Sequence, residues 1–110
     1  MDISYSPNKL EKSLTNDKLL LATYGERAKK LKQRMNELVS SNTLLDMSKI
    51  PAARLHPLKG NRNKEWAVDI YKNWRICFEI AGNPIPMPDD KGIDLSKVSQ
   101  INIISVVDYH

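Results

Sequence analysis

The sequence predicts an α+β fold in which N-terminal helices pack on one face of a small, antiparallel-rich sheet. Apolar residues recur at helical spacing through the first half, from Leu20 to Leu38. From Ala53 onward the period changes to alternation, the signature of strands with one face buried. Helices gathered ahead of strands, rather than interleaved with them, point to segregated layers. A chain of 110 residues fits one compact domain. Residues 1–50 are expected to be mainly helical and 53–110 mainly strands, with a proline-rich loop over 82–99.

The elements follow in order. "DISY" suits a short first strand. "SPNKLEKSL" reads as a brief helix with Ser6 as cap and Pro7 at its first position. Asn16 then caps a longer helix over residues 17–40. Its stripe of Leu20, Tyr24, Ala28, Leu31, Met35 and Leu38 should face the core. Glu26, Arg27, Lys29, Lys30, Lys32 and Arg34 should face water, and Gly25 inside the helix weakens it. "SSNTLLDMSKIP" predicts a turn and one short helical turn ended by Pro51. "ARLHPL" is a candidate edge strand, because Pro57 cannot donate to a ladder.

"EWAVDIY" places Trp66, Val68 and Ile70 on one face, and "NWRICFEI" does the same with Trp74, Ile76, Phe78 and Ile80. Lys72 and Asn73 between them form a two-residue hairpin turn. Arg75, Cys77 and Glu79 fall on the opposite face, expected to be partly uncovered and basic. "SQINIISVVDY" is apolar on both faces, as an interior strand would be.

Composition narrows the function. The apolar fraction of 41% and charged fraction of 27% are those of a soluble globular protein. No apolar run approaches the roughly 18–20 residues of a membrane span. "MDISYSPNKL" lacks the basic and apolar regions of a secretory leader, and one cysteine permits no internal disulfide. A cytoplasmic protein with no membrane partner is expected. The net charge of +4 is uneven. Residues 49–75 hold seven Lys/Arg against two Asp/Glu, a local excess of +5, while residues 76–110 carry −3. Such clustering attracts phosphate backbones.

No CxxC, HxxxH or HExxH spacing is present, and a metal site built from His56, Cys77 and His110 is the weaker reading. The sequence also lacks a Walker loop, GxGxxG and GxSxG, so no cofactor is predicted. Cys77 between Ile76 and Phe78 reads as a packed thiol. Acid–base chemistry on a phosphodiester is better supplied. Metal-free RNA cleavage needs a base for the 2′-OH, an acid for the leaving 5′-oxygen, and cations for the transition state. His56, Lys59, Arg75, Tyr109 and His110 supply those types. From spacing alone, the reading of both histidines as surface residues is the stronger.

"LHPLKGNRNKEWAVDIYKNWRICFEI", followed at the end by "VVDYH", resembles the RelE-like ribonuclease toxins of bacterial toxin–antitoxin modules, of the HigB or plasmid-maintenance killer type. The resemblance rests on H-x-L-K-G, then W-x-V-x-I and N-W-R-I-x-F, then a terminal D-Y-H. It implies ribosome-dependent mRNA cleavage restrained by a cognate antitoxin, with a non-catalytic member of the fold as the alternative. The antitoxin would be a helix-turn-helix protein, and DNA would be met only through it. His56 and His110 would transfer protons, Lys59 and Arg75 would stabilise charge at the phosphate, and Tyr109 would stack on or orient a base. Asp108 would orient a histidine, and Arg54, Arg62, Lys64 and Lys72 would bind RNA. Trp66 and Trp74 belong to the core. The connection from Ala81 to Gln100 is longer than is usual in this family.

Overall fold

The structure, a computed structural model, describes residues 1–62, 64–82 and 92–108. Five strands form one sheet: β1 (Asp2–Tyr5), β2 (His56–Pro57), β3 (Glu65–Tyr71), β4 (Trp74–Ile80) and β5 (Gln100–Asp108), in the order β1-β5-β4-β3-β2. Only β1 and β5 run parallel; the other neighbours are antiparallel. Four helices, α1 (Asn8–Thr15), α2 (Asp17–Tyr24), α3 (Ala28–Ser40) and α4 (Leu44–Ser48), fill the first half among the described residues. Their apolar side chains meet Val68, Ile70, Ile76, Phe78, Ile101 and Ile103 from one face of the sheet in a single core cluster. The α+β arrangement is the one the change of period predicts.

Every member of the stripe from Leu20 to Leu38 is buried, yet the expected continuous helix over 17–40 is not formed. The chain breaks at a 3-10 turn, Gly25–Arg27, where Gly25 has φ 57° and ψ −125°. It then folds back, so that Lys32 Nζ reaches Asp17 Oδ2 at 2.9 Å. Asn16 caps α2 as its sequence position predicts, its Oδ1 accepting from Leu19 N at 3.0 Å. The first helix differs by one step: Pro7 occupies the cap position, and Ser6 N instead donates to Ile103 O, extending the β1–β5 ladder.

Two residues expected to face water do not. Arg34 is only 3% exposed, because its Nε donates to the Asp69 carbonyl at 2.7 Å and its Nη1 pairs with Glu37 at 2.5 Å. Arg27 is half-buried, its guanidinium carbon 4.0 Å from the centre of the Trp74 ring.

The expected strand over 53–58 shortens to His56–Pro57, since residues 51–53 wind into a 3-10 turn that ends at Arg54 in the left-handed region, φ 43°. The short β2 does form the sheet edge. The β3–β4 turn is the predicted two-residue hairpin, with Lys72 at φ 55°. Interior strand β5 buries Ile101 and Ile103 on the core face, while its other face is half-buried rather than fully apolar. A bulge sets Ile104 between the Phe78–Ile103 and Cys77–Ser105 pairs. Without the bulge, regular alternation from Ile103 through Ile104 would carry the Ser105 hydroxyl into the apolar core.

The Pro-rich connection falls largely on residues 83–91, outside the described residues. Its ends meet where Ala81 N donates to Gln100 O at 2.9 Å.

Candidate nucleic-acid site

The sheet face away from the helices is built from the alternate residues of each strand. The register places His56 beside Ala67, Ala67 beside Cys77, Cys77 beside Ser105, and Asp69 beside Arg75. On this face His56, Pro57, Leu58, Lys59, Arg62 and Arg75 line a cavity of about 300 Å³. Local chemistry explains why these residues converge. Pro57 confines β2 to the edge. Gly60, at φ 68°, then turns the chain through a 3-10 segment, Gly60–Arg62, back over the β3–β4 hairpin. Lys59 sits exposed at the rim, while Arg75 is only 7% exposed and forms part of the floor, so that face is not uncovered at Arg75 as expected.

Arg62 is clasped from below. Its Nε donates to both carboxylate oxygens of Glu65, at 2.9 and 3.0 Å, and its Nη2 to Glu65 Oε1 at 2.5 Å and Ser105 Oγ at 3.3 Å. The hydrogen bond to Glu65 raises the guanidinium pKa above its ordinary value, against the opposing effect of burial. The Cys77 thiol, fully buried, lies beside the same guanidinium.

His56 is held through one ring nitrogen. Its Nδ1 lies 2.6 Å from the Arg54 carbonyl oxygen, which can only accept, so Nδ1 carries the proton. In the neutral ring that leaves a lone pair on Nε2. The cavity therefore joins a histidine with one available basic nitrogen to three cationic side chains. That combination can bind a phosphodiester and accept a proton from a hydroxyl beside it.

Of the residues expected to act together, His56, Lys59, Arg62 and Arg75 are brought to one cavity. Arg54 lies beside it, its guanidinium paired with Asp69 at 2.6 and 3.3 Å. Lys64 is exposed just before β3, and Lys72 is exposed at the β3–β4 turn, 5.3 Å above the Tyr71 ring. Asp108 ends β5 in register with Trp74, which places it toward the helix side of the sheet. Tyr109 and His110 lie outside the described residues. Among those described, no group of three His, Cys, Asp or Glu side chains is gathered as metal ligands. Glu65, Asp69 and Ser105 were not anticipated at the site. For the first two, a signal was present: β3 alternates its core residues with Glu65, Ala67 and Asp69, the set on the sheet face away from the helices.

Residues 4–87 match the family described as "RelE-like toxin of type II toxin-antitoxin system HigB". A 27-residue stretch is 48% identical to the endoribonuclease HigB of Proteus vulgaris, covering 24% of this chain and 29% of that relative. The chain thus aligns with less than a third of that relative's length. Among solved structures, a YoeB/ParE toxin from Agrobacterium tumefaciens matches over 100% of both chains, with a TM-score of 0.52 and 12% identity. A YoeB-YefM complex from Staphylococcus aureus matches over 100% of this chain and 97% of its own, with a TM-score of 0.53 and 18% identity. YafQ from E. coli covers 97% and 91%, with a TM-score of 0.51 and 17% identity. These likenesses are of fold.

Proposed function

Because the chain belongs to the HigB-like family of RelE-like toxins of type II toxin–antitoxin systems, we infer that it is an endoribonuclease that cleaves mRNA on the ribosome. The cavity shared by His56, Lys59, Arg62 and Arg75 is the observation that carries this reading. In the reaction, a base takes the proton of a ribose 2′-OH and the 2′-oxygen attacks the adjacent phosphorus. The P–O5′ bond breaks as an acid protonates the leaving oxygen, giving a 2′,3′-cyclic phosphate and a 5′-hydroxyl. His56 Nε2 is the base, and His110 is the acid. Lys59, Arg62 and Arg75 offset the charge that accumulates on the phosphoryl oxygens. Tyr109 and Asp108 orient base and histidine, while Arg54, Lys64 and Lys72 contact RNA outside the cavity.

The partner that restrains this activity is a cognate antitoxin of the helix-turn-helix kind, through which alone DNA is approached. The complex works in the cytoplasm. No helix among the described residues is long and apolar enough to cross a membrane.

Induction of the chain without antitoxin tests the reading. The expected result is growth arrest, with primer extension showing discrete cuts in translated mRNA. In His56→Gln and His110→Ala variants that still fold, the cuts should fall by about 10²–10⁴-fold, the usual worth of general acid–base catalysis. Intact mRNA and normal growth would overturn the reading. Salt-sensitive RNA binding without cleavage would identify a non-catalytic member of the fold.

A further inference from the structure

We propose that Asp69 is a positioning residue for His56, acting through Arg54. The inference rests on the ribonuclease reading for its catalytic consequence, but its geometry stands apart from it. Arg54 is a non-glycine residue in the left-handed region, φ 43° and ψ 55°, a conformation that persists only where its surroundings impose it. Three of its groups have partners. Its N–H donates to Pro51 O at 3.1 Å, its carbonyl accepts from His56 Nδ1 at 2.6 Å, and its guanidinium grips the Asp69 carboxylate at 2.6 and 3.3 Å.

Asp69 is itself fixed. It lies in the interior of β3, and its backbone carbonyl accepts from the buried Arg34 of α3 at 2.7 Å. A continuous chain of contacts therefore runs from the helix layer through Asp69 and Arg54 to the imidazole. Its effect is to hold the Arg54 carbonyl where it selects the Nδ1–H tautomer and keeps Nε2 as the basic nitrogen of the cavity. Asp69 meets neither phosphate nor 2′-OH in this scheme; it fixes the group that fixes the base.

The test uses the isotopically labelled full chain, with long-range nitrogen–proton NMR spectra of the neutral imidazole and His56→Gln to assign the signal. Wild type should show His56 protonated at Nδ1. Asp69→Asn should give a mixture of tautomers. Cleavage of ribosome-bound mRNA should show kcat reduced by roughly tenfold with KM little changed, since small misplacements of a catalytic group cost up to about 100-fold. Arg54→Gln removes the guanidinium from an exposed position and leaves Asp69 itself unchanged. It should reproduce the tautomer mixture and the fall in kcat, with KM raised as well by the lost RNA contact, and it stands in for Asp69→Asn if that variant does not fold. Wild-type tautomer ratios in these variants would overturn the proposal. A tautomer shift in a chain whose wild type cuts no mRNA would uphold the positioning role while removing the ribonuclease reading.

Discussion

A histidine accepts a proton only through a nitrogen with a lone pair, and in His56 the Arg54 carbonyl has already decided which nitrogen that is. The cations around it divide by burial. Lys59 is exposed and Arg75 is 7% exposed. Screening weakens the charge at the rim, whereas a buried guanidinium acts through a lower dielectric. Lys59→Ala should therefore leave stability within about 0.5 kcal/mol, as surface substitutions do. Arg75→Lys keeps the charge but loses the planar fork, and should lower the cleavage rate by roughly 10²-fold, comparable to the loss of one transition-state donor. Thermal melts beside single-turnover cleavage would check both. Equal losses of rate and stability at Lys59 would contradict the division. Asp94 offers a separate reading of charge at residue scale. Hydrogen bonds from Ser96 Oγ at 2.6 Å and Ser96 N at 3.0 Å hold its carboxyl below its usual pKa, with Lys97 adding to them. A depressed folded-state pKa stabilises the turn above the ordinary carboxylate range and loses that effect as pH falls through the lowered value. The Ser96 amide NMR signal should accordingly titrate below pH 3.8, the ordinary value for aspartate, and lose this step in Asp94→Asn.

Elements show where local sequence determines structure and where packing decides. Gly25 adopts a backbone conformation that side chains disfavour, although a Cβ there would meet nothing within 4 Å. Gly25→Ala should thus destabilise by about 1–3 kcal/mol through backbone strain alone, without steric clash. Asn16→Ala, which removes the cap of α2, should cost about 1 kcal/mol. Urea unfolding would separate the two from wild type. The helical stripe was legible because its burial repeats with the helix. The reversal at Gly25 was not, since one set of buried residues serves a straight helix and a folded-back pair equally well. Arg34 misled for another reason: periodicity classes it as polar, while its burial depends on a carbonyl of β3, distant in sequence. The same limit hid the bulge at Ile104, which only the partner strand reveals. His56, Lys59 and Arg75 could be read together because alternation assigns Arg75 a face and the family resemblance carried by H-x-L-K-G and N-W-R-I implies the rest. The Asp69–Arg54 link carries no local pattern, and Tyr109 and His110 fall outside the described residues.

At the scale of the whole molecule, the sheet separates two environments. One face is sealed by helices over an apolar core; the other carries Lys59, Arg62 and Arg75 of the basic segment 49–75. Cations gathered at one cavity give binding a defined dependence on salt, because each neutralised phosphate releases condensed counterions. If Lys59, Arg62 and Arg75 each neutralise one phosphate charge of single-stranded RNA, those three contribute about −2 to the slope of log K against log salt. Through those three alone, raising salt from about 50 to 200 mM should weaken binding of a short oligonucleotide by roughly 20-fold. Lys59→Ala should make the slope shallower by about 0.7. Lys64 and Lys72 lie outside the cavity, so their alanine variants should lower affinity and slope while leaving the single-turnover rate at saturation unchanged. Fluorescence anisotropy across a salt series, paired with that rate, distinguishes binding charge from reacting charge. A slope near zero would mean that the basic face does not meet phosphate, and a rate loss at Lys72 would place the reacting phosphate nearer the hairpin turn than the cavity around His56.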